Sequence, residues 1–209
     1  MITLYHCTDC PLCWKVRLGL DELGIDYSIV NTRFGEKHPD VVRYNPKCSV
    51  PVLIDGETAI WESNATLEYL DEKFSPGGLF PGGPEQRVKA RLLLSYSDTV
   101  VGPALRELVF EKRSKPEDQW DKQKIDQSED AWRVCLRQLS IWLDGKDYFC
   151  GSFSAAECAL IPRLGIAEAY GASGIDEFPL LKRWFCDLKQ RPSYQETHPE
   201  NFIRYHASP

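Results

Sequence analysis

Over the first third of the chain, short apolar runs alternate with segments of helical periodicity. The apolar runs predict strands at residues 2–6, 27–30, 50–54 and 59–61. Asp55-Gly56, between the last two, is a signal for a hairpin turn. The helical spacing predicts helices at residues 14–23, at 41–44 and from 62 onwards. The resulting order, β-α-β-α-β-β-α, predicts a small mixed sheet with helices packed on it.

Residues 75–84 contain three prolines and four glycines, a composition typical of a linker. Beyond them the strand pattern nearly disappears, and the spacing predicts helices over residues 85–113, 117–143, 154–170 and 179–190. Pro103 and Pro162 are expected to bend the helices that contain them. Ser154 and Glu157 match a capping box, in which two side chains satisfy helix N–H groups reciprocally. We therefore predict an α/β domain at 1–76, a linker at 77–86 and an all-α domain at 87–209.

The segment Cys10-Pro11-Leu12-Cys13 joins the first predicted strand to the first predicted helix. A helix N-terminus carries partial positive charge and unpaired N–H groups, and both favour a thiolate over a thiol. Pro11 suits the first helical position because it has no N–H and its φ is already helical. Because the thiolate is the reactive form of cysteine, the pattern predicts a reactive Cys10. Cys13 is a second thiol that is spaced to form a disulfide with it.

Composition narrows the classes of protein that fit. The chain has 209 residues, of which 43% are hydrophobic and 27% are charged, and its net charge is -6. These values are ordinary for a globular protein, and no basic stripe favours nucleic-acid binding. No apolar run approaches the roughly 18 residues of a membrane span, and the N-terminus lacks the pattern of a secretory signal. We therefore expect no nucleic-acid or membrane partner and a reducing, cytoplasmic location.

The eight cysteines do not require a disulfide scaffold in a chain of this length. Cys7 extends the first motif to C-x-x-C-x-x-C, so an iron–sulfur site is an alternative, although no fourth ligand is evident. The histidines form no pair at zinc-binding spacing, and we predict no metal site. Five further cysteines are expected to be buried and to pack as small hydrophobic residues; they are Cys48, Cys135, Cys150, Cys158 and Cys186.

Four motifs, in order along the chain, resemble those of the cytosolic glutathione transferase superfamily. They are Cys10-Pro11-Leu12-Cys13 with Val16-Arg17, Asn45-Pro46 with Ser49-Val50-Pro51-Val52-Leu53, Trp61-Glu62-Ser63, and Phe153-Ser154 with Glu157, where the family more often has Asp. The resemblance covers nearly the whole chain. It implies a thioredoxin-like N-terminal domain, a linker, an all-helical C-terminal domain, a homodimer, and glutathione as the cosubstrate.

Within that superfamily the chain is most similar to the omega-like transferases, which use a cysteine where other classes use Tyr or Ser. It also resembles the bacterial stringent starvation protein A group in its second and third motifs. That group lacks the cysteine pair, so Cys10 and Cys13 separate this chain from it. Cys13 stands where glutaredoxins have their second thiol.

The resemblance implies a glutathione site made of Lys37, Val50, Pro51, Glu62 and Ser63. Val50 would pair its backbone with the cysteinyl part of glutathione and would be held by a cis-Pro51. Glu62 would offer a counter-charge to the ammonium of the γ-glutamyl end, and Ser63 would offer helix N-terminal donors to its carboxylate. Lys37 would meet the second carboxylate of glutathione.

The expected reaction is cysteine-type thiol transfer or glutathione-dependent reduction, of the thioltransferase or dehydroascorbate-reductase kind. Cys10 would be the nucleophile, and a second glutathione or Cys13 would resolve the intermediate. Conjugation to an electrophile is expected to be weak, because a cysteine is a poorer hydrogen-bond donor than Tyr or Ser. A non-catalytic partner of the transcription machinery and a glutathione-ligated iron–sulfur carrier are the alternatives. We expect the small electrophile or disulfide to bind between the domains, near Tyr96 and Thr99.

Overall fold

The structure, a computed structural model, describes residues 1–33, 35 and 37–204. Its first part contains a mixed sheet made of β1 (Ile2–His6), β2 (Tyr27–Asn31), β3 (Val52–Asp55) and β4 (Thr58–Trp61). The strand order is β2-β1-β3-β4, with β1 parallel to β2 and antiparallel to β3, which in turn is antiparallel to β4. Its helices are α1 (Pro11–Glu22), α2 (Pro39–Tyr44) and α3 (Ser63–Phe74). The predicted element order and the mixed sheet are confirmed.

The second part is helical. It consists of α4 (Pro84–Tyr96), α5 (Gly102–Ser114), α6 (Lys122–Leu143), α7 (Ala155–Ala169), α8 (Pro179–Leu188) and α9 (Pro192–Thr197). The predicted linker, residues 77–86, follows α3 and extends into the first turn of α4. No helix in the described part of the chain combines the length and the apolar character needed to cross a membrane.

One helix prediction was wrong, and one short helix was missed. The single helix expected over 85–113 is divided by a π-helical turn at Ser97–Val101, directly before Pro103. Proline cannot donate to the carbonyl four residues earlier and its ring crowds that carbonyl, so the wider turn relieves both problems. The helix predicted over 179–190 ends at Leu188, before Pro192 as expected, but the short helix α9, which begins at Pro192, was not predicted. A proline at this position is compatible with a helix start, because the first N–H has no intrahelical partner.

Helix α1 is shared by two cores. Val16 and Leu20 pack against the sheet, whereas Trp14 and Leu18 pack among the helices of the second domain. The Trp14 ring lies directly on Gly165 of α7, where an added Cβ would come within 2.6 Å of the ring. Because both faces of α1 are buried, the start of this helix, which follows Cys10, is held in one place relative to both domains.

The capping box at the start of α7 is confirmed. The Ser154 hydroxyl accepts from the Ala156 N–H at 3.2 Å, and the Glu157 carboxyl accepts from the N–H groups of Ser154 and Phe149, both at 2.9 Å. These contacts fix the start of the helix that packs on Trp14.

Candidate functional site

A cleft of about 650 Å³ lies between the α/β domain and the helical domain. The start of α1 and the loops before α2 and β3 line one side, and α5 and α7 line the other. Among the residues predicted for the site, Cys10, Lys37 and Val50 line this cleft. Its volume is in the usual range for a small-molecule site.

Cys10 is the residue immediately before α1 and is half-buried. Its N–H donates to the Cys7 carbonyl at 3.2 Å, and its carbonyl accepts from the Trp14 N–H at 2.9 Å. Both backbone groups are therefore tied, and the thiol is presented from a fixed position.

The environment of Cys10 favours its thiolate. A hydrogen bond from the Cys13 thiol is the largest factor that lowers the pKa of Cys10 to about 6. The N–H groups of Cys13 and Leu12 and the positive charge of Arg163 lower it further, whereas burial acts in the opposite direction. Since this value lies below neutral pH, Cys10 is mostly thiolate at pH 7.

Cys13 has the opposite character. It is 0% exposed, and burial raises its pKa well above the usual value, as do the hydrogen bond to Cys10 and the charge there. The two thiols are free in this structure. The opposite directions of the two pKa shifts therefore separate their roles: Cys10 is the thiolate at the cleft, and Cys13 is a buried thiol.

The residues implied for glutathione binding fall into two groups: Lys37 and Val50 line the cleft, whereas Pro51, Glu62 and Ser63 are not among its described lining residues. The Val50–Pro51 peptide bond is cis, and the ladder between β1 and β3 ends at Val52, so the backbone of Val50 lies just beyond the sheet. Among the described residues that line the cleft, neither Glu62 nor Ser63 is found. Ser63 is the first residue of α3 and is only 4% exposed.

Glu62 already has a partner. Its carboxylate accepts from the Lys47 ammonium at 2.6 Å, and about half of each side chain is exposed. Its backbone is in the left-handed region, with φ at 72°. Exposed ion pairs of this kind contribute little, so a ligand ammonium can replace Lys47 at small cost.

The sequence prediction missed a set of charged residues around the cleft. Asp9, which is 1% exposed, accepts from the Arg113 guanidinium and from the Ile203 N–H at 3.0 Å. Asp98, in the π-helical turn, accepts from Lys15 at 2.8 Å and from Arg163 at 3.1 Å. These contacts tie the two walls of the cleft together.

Lys15 is the centre of the inter-domain contact. The residue is 0% exposed, and its ammonium donates to Asp98 and to the Asn64 amide oxygen, both at 2.8 Å. Burial lowers the pKa of Lys15 to about 8. A lysine within the apolar α1 run, and Arg163 within the apolar α7 run, were the signals that could have revealed this network, because an isolated charge on a buried face needs a partner.

Two expectations about the cleft were wrong. Tyr96 turns away from it and packs its ring against Trp142 at 4.8 Å between centroids. The Thr99 hydroxyl donates back to the Ser95 carbonyl at 2.8 Å. The helical wall is instead formed mainly by α5, between Gly102 and Arg113, and by Arg163 and Ile166 of α7.

The predictions for the five cysteines outside the first motif were correct for three and wrong for two. Cys135, Cys150 and Cys158 are buried, as expected. Cys186 is exposed on α8, and Cys48 is half-buried, has a positive φ and lines the cleft, so the expectation was wrong for both. Among the described residues, no group of three His, Cys, Asp or Glu side chains is placed to hold a metal ion.

A cysteine before the first helix, a cis-proline before the third strand and a helical domain across a cleft define the class of thioredoxin-like proteins with a helical second domain. The model of the glutathione S-transferase N-terminal domain matches residues 4–78, and that of the C-terminal domain matches residues 97–192. The chain therefore belongs to the glutathione S-transferase superfamily.

The similar proteins include glutathione S-transferases and an FtsZ-localized protein. FtsZ-localized protein A of Caulobacter vibrioides is 29% identical over 92% of this chain and 89% of its own length. Glutathione S-transferase GstB of Escherichia coli is 27% identical over 94% of this chain and 97% of its own. A glutathione S-transferase from Methylobacillus flagellatus, solved with GSH bound, is 26% identical with a TM-score of 0.82, and the match covers 95% of this chain and 100% of that one.

Proposed function

We propose that this chain binds glutathione and uses Cys10 to reduce small disulfides that contain a glutathionyl group. The observation that carries the proposal is the position of Cys10, which is half-buried at the cleft immediately before α1, where its surroundings lower its pKa to about 6. A thiolate that is abundant at neutral pH and open to a cleft suits thiol–disulfide exchange. The omega-like assignment is part of this proposal.

Glutathione would lie along the α/β wall of the cleft. The backbone of Val50 would pair with its cysteinyl part next to the cis-Pro51. Lys37 would bind one carboxylate, and the N–H groups at Ser63, together with Glu62, would bind the γ-glutamyl end. The GSH-bound structure of the Methylobacillus flagellatus relative supports a glutathione site in this fold.

The exchange has two steps. The Cys10 thiolate attacks the glutathione sulfur of a mixed disulfide, so a Cys10–glutathione disulfide forms and the other thiolate leaves. The thiolate of a second glutathione then attacks the glutathione sulfur of that intermediate. Glutathione disulfide is released and the Cys10 thiolate returns. The substrate thiol is freed, and one glutathione is oxidised, because its sulfur forms the new disulfide with the glutathionyl sulfur that the substrate carried.

We assign Cys13 the role of hydrogen-bond donor rather than that of resolving nucleophile. It is 0% exposed and its pKa is raised, so it supplies little thiolate at neutral pH. Its hydrogen bond is the largest contribution to the acidity of Cys10.

The test is glutathione-dependent reduction of the mixed disulfide of glutathione and 2-mercaptoethanol. We expect Cys10→Ser to abolish turnover and Cys13→Ser to retain it, with Cys186→Ser, an exposed cysteine of α8, as the matched control. Full activity of Cys10→Ser would refute the proposal. Weak conjugation of an aromatic electrophile is expected in the wild type, and strong conjugation would place the chain among ordinary transferases.

A second candidate function follows from the Caulobacter relative, which matches nearly the full chain. We propose as the alternative that this protein associates with FtsZ. Co-sedimentation with FtsZ polymers tests this alternative. The Cys10→Ser variant separates the two functions, because it should lose turnover but keep binding to FtsZ. Absence from the FtsZ pellet would remove this alternative.

A further inference from the structure

The charged side chains that the structure describes around the cleft are mainly basic, although the chain carries a net charge of -6. The acidic ones among them are Asp9 and Asp98. The basic side chains that line the cleft are Arg33, Lys37, Arg106, Arg113 and Arg163. A concentration of positive charge in a cleft attracts anionic ligands and raises their local concentration.

The two acids are already neutralised. Asp9 is paired with Arg113, and Asp98 is paired with both Lys15 and Arg163. None of the ion pairs in the described part of the chain includes Arg33, Lys37 or Arg106. The surplus charge of the cleft therefore rests on these three side chains.

One glutathione does not use all of this surplus. It has two carboxylates and one ammonium, so its net charge is one negative unit, and the proposed site places it on the α/β wall. Arg106 belongs to α5 on the opposite wall, where the second reactant is expected.

Apolar residues line the same wall of the cleft as Arg106. Its guanidinium lies over the Phe110 ring at 5.7 Å from the centroid. The same wall is formed by Pro103, Leu105, Val109 and Ile166. An apolar surface beside an exposed guanidinium fits a ligand with a hydrocarbon or aromatic body and an acidic end.

We propose that the second reactant is an apolar thiol, presented as its disulfide with glutathione, that carries a carboxylate bound by Arg106. This inference deepens the proposed function and rests on it. In the exchange, Cys10 attacks the glutathione sulfur, and the thiolate that carries the carboxylate leaves on the side of the cleft where Arg106 lies. A second glutathione then attacks the Cys10–glutathione disulfide, as in the exchange described above.

Binding is tested first, with ligands that cannot react. S-(4-carboxybenzyl)glutathione and S-(4-carbamoylbenzyl)glutathione have nearly the same shape and differ by one charge. We expect calorimetry at low salt to show roughly 5-fold tighter binding of the carboxylate, a difference that salt weakens, as is usual for partly exposed charge pairs. Arg106→Gln should reduce the preference to below about 2-fold, and Arg137→Gln, an exposed arginine of α6, should keep it.

Turnover is tested second, with the glutathione disulfides of 4-mercaptobenzoate and 4-mercaptobenzamide. We expect Arg106→Gln to raise KM for the carboxylate about 5-fold and to leave KM for the amide unchanged. Equal binding of the two thioethers by the wild type, or a preference that Arg106→Gln retains, would overturn the inference. Binding of neither thioether would remove both the inference and the glutathione site. A retained binding preference with no turnover of either disulfide would refute the proposed reaction and leave the anionic subsite supported.

Discussion

Replacing Cys13 with alanine tests the division of roles between the two thiols. The substitution removes the largest contribution to the low pKa of Cys10. Hydrogen bonds to charged groups contribute about 1.5–3 kcal/mol, and a thiol is a weak donor, so the lower value applies. At about 1.4 kcal/mol per pKa unit, the pKa of Cys10 should rise to about 7. The thiolate fraction at pH 6 then falls from about 50% to about 10%.

The assay is the rate of alkylation of Cys10 by iodoacetamide between pH 5 and 9, followed by mass spectrometry in a Cys186→Ser background. At pH 6 the Cys13→Ala variant should react about 5-fold more slowly than the parent, and the two rates should converge above pH 8.5. Cys13→Ser, which keeps a donor in the same place, should resemble the parent. Superimposable profiles for Cys13→Ala and the parent would refute the donor role of Cys13.

Three further predictions concern stability and assembly. Ser154→Ala removes the cap of α7 and should lower the free energy of unfolding in urea by about 1–2 kcal/mol, whereas an unchanged midpoint would contradict the role of the capping box. His6 is buried, and desolvation and the charge of Arg17 lower its pKa to about 4, so its stabilising contribution is lost as the pH falls from about 6.5 to 4. The unfolding free energy should therefore decline by about 3 kcal/mol less between pH 7 and pH 4 in His6→Asn than in the wild type. Parallel curves of unfolding free energy against pH for the two proteins would exclude this linkage. Val88 and Leu92 are 51% and 64% exposed one turn apart on α4, so we propose that they lie in the homodimer interface, and light scattering should show a dimer that Leu92→Glu converts to a monomer.

The order of the elements could be predicted because local patterns determine it. Strand β3 and strand β4 are joined by a turn whose Asp55-Gly56 signal is visible in the sequence, and the Ser154 cap marks the start of α7 without any tertiary information. The π-helical turn at Ser97–Val101 could not be predicted, since apolar spacing does not distinguish a kink at Pro103 from a wider turn before it. The same uncertainty led to the wrong placement of Tyr96 at the cleft.

The sequence allows predictions about the candidate site only where the residues concerned are neighbours along the chain. Cys10 could be proposed from the sequence because Cys13 and the helix start, which both favour its thiolate, follow it within three residues. Arg106 and Arg163 could not be assigned to the cleft, because the chain separates them from Cys10 by roughly one hundred residues or more and only the packing of α5 and α7 across α1 brings them there. The net charge of -6 gave no indication of basic residues around the cleft.

The reactivity of Cys10 is a property of both domains rather than of the thioredoxin-like domain alone. The positive charge of Arg163, from α7, is one of the factors that lower the pKa of Cys10. Asp98 holds Arg163 at 3.1 Å, and Lys15, two residues after Cys13, holds Asp98 at 2.8 Å. These interactions therefore connect Cys10, immediately before α1, through Arg163 and Asp98 to Lys15 within α1. A change in how the helical domain packs on α1 alters the charge that Cys10 experiences. Because Lys15 is fully buried and breaking a buried pair is costly, this arrangement also resists such a change.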